Sequence, residues 1–232
     1  MDGLIDSALS NPWSTLETIL DGPVHPGGKA ATEQLLQRAD VGSGSRLLDV
    51  GCGSGTALKV AQEKGATAIG VDVEPNARNA IRGSATALPI ADDSMDVVLS
   101  ECVLCLTDLP IALKEANRVL THGGRLALSD VVVEGELPAL PEAVTRALCL
   151  EGAYSHDQLL DHISSAGLEV QSTTEHHDDL LAMRDRVRER VDYEGLLSMM
   201  GDRGQRALEA IEELEAGVAA GRIGYVSVVA RA

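Results

Sequence analysis

Asp49-Val50-Gly51-Cys52-Gly53-Ser54-Gly55 is the stretch on which the fold turns. An apolar run from Arg46 to Val50 precedes it, and a helical pattern from Ala57 to Lys64 follows. Glycines between a strand and a helix let the backbone bend tightly and let a ligand approach without meeting Cβ atoms. Such a loop serves a dinucleotide, a phosphate or a nucleoside. The dinucleotide fingerprint needs glycine where Thr56 stands, and the Gly-Lys-Ser/Thr ending of a phosphate loop is absent. Asp49 would repel a pyrophosphate and suits a cationic group.

Outward from this loop, apolar strands alternate with helical patterns. A helix is expected over residues 29–39, with Ala31, Leu35 and Leu36 on one face. Ala66 to Val71 reads as the second strand, ending at Asp72, and Pro75 to Arg82 as a helix. Ser84 to Ala87 reads as a weak third strand and Met95 to Ser100 as the fourth. Pro110 to Leu120 reads as a helix, and the Gly123-Gly124 turn leads into a fifth strand, Arg125 to Ser129. Helices follow over Pro141 to Leu150 and Ser155 to Ala166, then a strand from Leu168 to Ser172. Two or three helices between Leu180 and Gly221 precede a closing strand, Tyr225 to Ala230.

Strands alternating with helices imply an α/β Rossmann-like fold. The sheet is expected to be mostly parallel and seven-stranded, with helices on both faces and a helical insertion before the last strand. The chain divides into a lead-in or lid (1–40), a Rossmann-like core (41–175) and a helical elaboration with the closing strand (176–232). Two roles stay open for the elaboration, a roof over the pocket or the contact of a homodimer.

A net charge of −17 argues against a nucleic-acid partner and against an anionic membrane surface. The densest arginine cluster, Arg184 to Arg190, is interleaved with Asp185 and Glu189. No apolar run approaches the ~20 residues of a membrane span, and the first residues lack a signal-peptide pattern. The expected location is cytoplasmic, with a salt-adapted or GC-rich source as one origin of the acidity. Four cysteines, Cys52, Cys102, Cys105 and Cys149, are too few for a disulfide scaffold and are expected as thiols.

The glycine loop, together with Asp72 at the end of Gly70-Val71-Asp72, resembles class I S-adenosylmethionine (SAM)-dependent methyltransferases. Gly83 to Pro89 is similar to that family's adenine-side loop, although Ser84 stands where an acid is usual. Arg118 to Gly124 resembles the turn before its fifth strand. The resemblance implies SAM as cofactor, with Asp49, Gly51, Gly53, Gly55, Asp72, Val73, Ser84, Ala85 and Ser100 around it and Asp72 taking the ribose hydroxyls.

Ser100 to Val103 and Cys149 to Ala153 further resemble the cysteine-bearing segments of arsenite methyltransferases, as does Ser129 to Pro138 between them. That implies Cys102 and Cys149 as catalytic residues holding arsenic(III). By position alone, Cys105 three residues after Cys102, Glu101 beside it and His177 after the sixth strand are candidate further substrate-side groups. A soft acceptor with a lone pair needs alignment rather than a base. The family's other cysteines have no clear counterpart here, and Cys52 reads as packing within the glycine loop. Three alternatives stay open: a metalloid acceptor, an ordinary small-molecule C-, N- or O-acceptor with incidental cysteines, and a SAM or thiol-metal sensor without turnover. Glu175 to Asp179 holds the one histidine pair, His25 to Gly28 reads as a lid or a plain turn, and Trp13 and Tyr154 read as packing residues.

Overall fold

The computed structural model describes residues 25–137, 145, 148–150, 152–199 and 201–232. Most of the expected lead-in, including Trp13, and most of the expected helix at 141–150 lie outside these residues.

Helix α1 (Gly28–Arg38) buries Thr32, Leu35 and Leu36, one stripe at helical spacing. Strand β1 (Arg46–Val50) follows, then α2 (Thr56–Glu63), β2 (Thr67–Asp72), β3 (Ala80–Arg82) and β4 (Met95–Glu101). A single 3₁₀ turn (Leu104–Leu106) leads to α3 (Leu109–Val119), whose N-terminus is capped by Asp108 accepting from the Ile111 N–H. Strand β5 (Leu120–Val133), α4 (His156–Ser165) and β6 (Glu169–Glu175) come next, then α5 (His177–Arg190), α6 (Tyr193–Ser198), α7 (Asp202–Ala219) and β7 (Ile223–Arg231). Ser155 and Gln158 close a reciprocal capping box at the start of α4.

The sheet runs β3-β2-β1-β4-β5-β7-β6. Strands β1 to β5 pair in parallel, whereas β7 runs antiparallel to both β5 and β6. The chain order reverses between β1 and β4, so a crevice opens at the carboxyl ends of those strands. Alternate residues of the central strands feed two cores. Leu48, Val98, Leu126 and Leu128 face α3 and α4, while Leu47, Val97, Leu99 and Ala127 face α1 and α2. Arg38 stitches α1 to the antiparallel edge, donating to Ser227 Oγ at 2.6 Å and Ser172 Oγ at 3.0 Å.

Three sequence expectations need correction. Pro75 to Arg82 is not a helix, and the third strand is Ala80–Arg82 rather than Ser84 to Ala87. Eight residues with a leading proline make a marginal helix. Their polar groups instead serve neighbours: the Asn76 N–H donates to the Gly53 carbonyl, the Asn79 carbonyl accepts from the Gly70 N–H, and the Asn79 side chain donates to the Ala68 carbonyl. Ala80 to Arg82 then completes the edge of β2, leaving Ser84 and Ala87 in an isolated bridge. The fifth strand is also longer than Arg125 to Ser129, because Asp130 to Val133 finds partners in Val226 to Ile223. Three helices, α5 to α7, occupy the expected insertion. Among the described residues no helix is long and apolar enough to cross a membrane.

Candidate active site

A cavity of about 660 Å³ opens at the carboxyl ends of β1, β2 and β4. Small-molecule sites span about 300–1,000 Å³. The glycine loop forms its floor. Gly51 has φ +79°, and a Cβ there would run into Val103. Gly53 has φ +46° but open space where a Cβ would stand, so a ligand can lie against its backbone. Gly55 is absent from the lining and packs against Ala77 instead.

Two carboxylates flank the loop. Asp49, at the centre of the sheet, is buried, and its Oδ2 has no hydrogen-bond partner among the described residues. Burial first, then the charges of Glu101 and Asp72, hold its carboxyl well above the usual range. Such an atom is costly to bury unless a ligand completes it. Asp72 accepts from the Gly53 N–H at 2.9 Å and the Glu74 N–H at 2.8 Å, fixing its carboxylate at the rim. Val73, exposed at 65 %, and Ser84 and Ala85 line the same side. Ser84 Oγ lies 2.8 Å from Thr86 Oγ1. That segment is anchored from α3: Glu115 accepts from the Leu88 N–H, and Arg118 donates to the Leu88 and Ile90 carbonyls. Ser100 does not line this cavity. Its hydroxyl is buried without a partner among the described residues, and the residue lines a small interior void between β1, β4 and α3.

The opposite wall carries His25, Thr32, Glu101, Cys102, Val103, Leu106 and Thr107. Thr32 donates to both Glu101 oxygens at 3.0 and 3.2 Å, and His25 Nε2 stands 3.7 Å from Oε2. Burial raises the Glu101 pKa, and the charge of His25 and hydrogen bonds with Thr32 and Ser129 oppose it. Sequence reasoning treated His25 as part of a lid or turn and passed over Thr32. The signal for Thr32 was a hydroxyl on the apolar stripe it shares with Leu35 and Leu36.

Behind this wall the structure brings together residues distant in sequence. The sulfurs of Cys102 and Cys149 and a carboxylate oxygen of Asp130 lie within 4.8 Å of one another, and Cys105 and Cys149 share one buried cluster. Cys102 and Cys149 both hold left-handed backbone, φ 55° and 57°, a conformation costing about 1–3 kcal/mol and concentrated at functional sites. A hydrogen bond with Cys149 and then burial raise the Cys102 thiol well above its ordinary value. For Cys105 a bond from Cys149 lowers the value, but burial and the charges of Asp130 and Cys102 carry it to about 12. Cys149 is likewise raised; its bond with Cys102 opposes, and Cys105 and burial prevail. Asp130, missed in the sequence, was a lone charge ahead of three valines. Burial lifts it to about 6, against bonds from Cys105 and from the Val131 and Leu104 backbone.

Cys52 is buried against Gly70, and burial, then Asp49 and Asp72, push its thiol to about 12, consistent with packing. His177 is absent from the cavity lining. Its neighbour His176 bonds Ser227 Oγ at 2.7 Å and Asp179 at 3.1 Å, so the histidine pair serves the β6–α5 junction. Tyr154 packs edge-on against His162.

Comparison with known proteins agrees with this geometry. Residues 48–128 match the family model described as a methyltransferase domain. The chain is 35 % identical to Methyltransferase GfsG of Streptomyces halstedii over 66 % of its own length and 63 % of that protein's. It is 33 % identical to an arsenite methyltransferase of Halobacterium salinarum over 57 % of its length and 39 % of the relative's. The chain therefore spans less than two thirds of either relative. Phosphoethanolamine N-methyltransferase 2 of Haemonchus contortus, solved in complex with SAM, shares the fold. Its TM-score is 0.70 at 18 % identity, over 94 % of this chain and 56 % of that one.

Proposed function

We propose that this chain is a SAM-dependent methyltransferase acting on a small molecule. The observation that carries the reading is the Oδ2 atom of Asp49, a buried carboxylate oxygen without a partner among the described residues, in a cavity walled by acids. SAM supplies a methyl group activated by a sulfonium, and it brings an ammonium as well. Asp49 suits that ammonium, and Asp72, held by two backbone N–H groups, keeps lone pairs for ribose hydroxyls. Val73, Ser84 and Ala85 would flank the adenine, and Gly51 and Gly53 admit the ligand to the backbone. Gly55 and Ser100 support this cradle by packing rather than by contact. Titration calorimetry with SAM tests the reading: wild type binds and Asp72→Ala binds at least tenfold more weakly. Absent binding to wild type, or unchanged binding in the variant, removes it.

A second reading concerns the acceptor. The convergence of Cys102 and Cys149 favours a soft acceptor such as arsenic(III) held as substrate, and the Halobacterium relative's name is in keeping with it. Against it, all three thiols are raised above their ordinary value, by hydrogen bonds among them as well as by burial, and a metalloid would have to displace their protons. Arsenite binding to wild type that is lost in Cys102→Ser and Cys149→Ser supports this acceptor; equal retention by both variants dismisses it.

A further inference from the structure

An alcohol or phenol keeps its proton near neutrality, so its methylation needs a group beside it that can take that proton. A lone pair on arsenic or a thioether needs none. The acceptor wall therefore distinguishes between acceptors through its bases, and its one thiol on the described lining, Cys102, is a poor one because it already holds its proton. Asp49 and Asp72 flank the glycine loop. Among the described residues, that leaves Glu101 and His25 as the proton acceptors of this wall.

Both are built into it. The side chains are only 8 % and 9 % exposed, yet both residues line the cavity. Glu101 faces Asp49 on β1, Ser129 on β5, Thr32 on α1 and His25 ahead of α1, and His25 is the one group among these able to carry positive charge. A carboxylate buried for stability alone is ordinarily matched by arginine. This one has a titratable imidazole whose Nδ1 is 3.1 Å from the Pro26 carbonyl and whose Nε2 is 3.3 Å from Thr32 Oγ1.

We propose that Glu101, oriented by Thr32 and paired with His25, takes the proton from a hydroxyl-bearing acceptor. The inference rests on the methyltransferase reading above and names its substrate class. The acceptor oxygen forms the new O–C bond as the S–C bond breaks, and that bond's electron pair returns to sulfur. The proton leaves the oxygen for a Glu101 carboxylate oxygen, and His25 is the positioning partner that offsets the buried charge. In this arrangement Cys102 lines the wall, Cys105 and Cys149 pack behind it, and none of them supplies a bond.

The experiment follows a labelled methyl from SAM into a panel of phenols and aliphatic alcohols, with arsenite and primary amines alongside. It uses wild type, Glu101→Gln and His25→Gln, each also titrated with SAM alone. Glutamine keeps an acceptor oxygen for Thr32 but no longer takes a proton. The expected result is wild-type label on a hydroxyl compound, reduced about 10²–10⁴-fold in Glu101→Gln while SAM affinity stays within about threefold. His25→Gln is expected to lower kcat about tenfold at unchanged KM for the acceptor, and it serves alone should Glu101→Gln fail to fold. Label only on arsenite or amines, label on nothing, or undiminished transfer by Glu101→Gln or His25→Gln overturns the inference while SAM binding leaves the methyltransferase reading standing. Loss of SAM binding by wild type removes both.

Discussion

The Cys149 thiol donates to the backbone carbonyl of Cys102 across 3.4 Å, joining the end of β4 to a segment 47 residues further along the chain. Each cysteine sits in left-handed backbone, so the contact fixes two strained turns against one another. Together with Asp130 and Cys105 it makes a dense polar knot behind the acceptor wall. Thiols raised by burial react slowly, because thiolate is the nucleophile.

Native-state alkylation measures this. A thiol at about 12, as for Cys52 and Cys105, carries roughly 10⁻⁴ thiolate at pH 8. Intact-mass measurement with iodoacetamide at pH 8 should show these cysteines labelling about a thousandfold slower in native protein than in urea. Rapid native labelling of Cys105 would show the knot to be open to solvent.

The buried carboxylates set the pH dependence. An acid whose folded pKa is raised is protonated in the native state at pH values where the unfolded chain has already released its proton. Its contribution is fully present below the unfolded value and is lost as pH climbs through the folded one. For Asp130 the window runs from about 4 to about 6. Asp49, held well above its usual range, extends it upward, and Glu101, also raised by burial, acts in the same sense. Asp96 and Glu115, lowered by bonds from Arg46 and Arg118, act in the opposite sense. Their ion pairs lie near the surface and contribute little. Urea midpoints of ligand-free protein should therefore be higher at pH 5.5 than at pH 8. Asp49→Asn should narrow that difference while weakening SAM binding about 30- to 1,000-fold; a midpoint that rises with pH would contradict the assignment.

Arg118 ties α3 to the loop on the Ser84 side of the cavity through Leu88, Ile90, Glu115 and Asp92. Arg118→Met removes these bonds and leaves two carbonyls to find water. A loss of about 2–4 kcal/mol in unfolding free energy is expected, along with a several-fold rise in the KM for SAM at nearly constant kcat. Equal unfolding midpoints for variant and wild type would show the loop to be held by other contacts.

The central strands were legible because burial on both faces makes them continuous apolar runs, and the glycine loop because its backbone demands small residues. Asp49 and Asp72 were legible through their spacing around that loop. Pro75 to Arg82 was misread because a short segment's preference yields to an unpaired strand edge, in this case that of β2. Thr32 and Asp130 left only a faint local trace, a hydroxyl on an apolar stripe and a charge ahead of three valines; their contacts, like those of His25, join elements far apart in sequence, which local spacing does not encode. Cys102 and Cys149 were visible as candidates, but their approach depends on how β4 meets the chain after β5. Ser100 was placed by its position at a strand end; the pleat turned it to the opposite face from Glu101.

Gly51 and Gly53 separate packing from ligand approach within one loop. Both hold positive φ, so alanine at either costs about 1 kcal/mol or more in backbone strain. At Gly51 the added methyl also meets the Val103 side chain at the start of the acceptor wall. Gly51→Ala should therefore lower stability by about 2–4 kcal/mol, because overpacking adds to strain. At Gly53 nothing lies within 4 Å of the new methyl, which would project into space left for ligand. Gly53→Ala should fold with a loss of about 1 kcal/mol yet bind SAM at least tenfold more weakly. Thermal melts with and without SAM check the pair: ligand-free melting falls further for Gly51→Ala, and the SAM-induced rise is smaller for Gly53→Ala than for wild type. A full SAM-induced rise in Gly53→Ala would mean that the ligand does not lie against the loop, and the cradle assigned to Asp49 and Asp72 would have to be placed elsewhere.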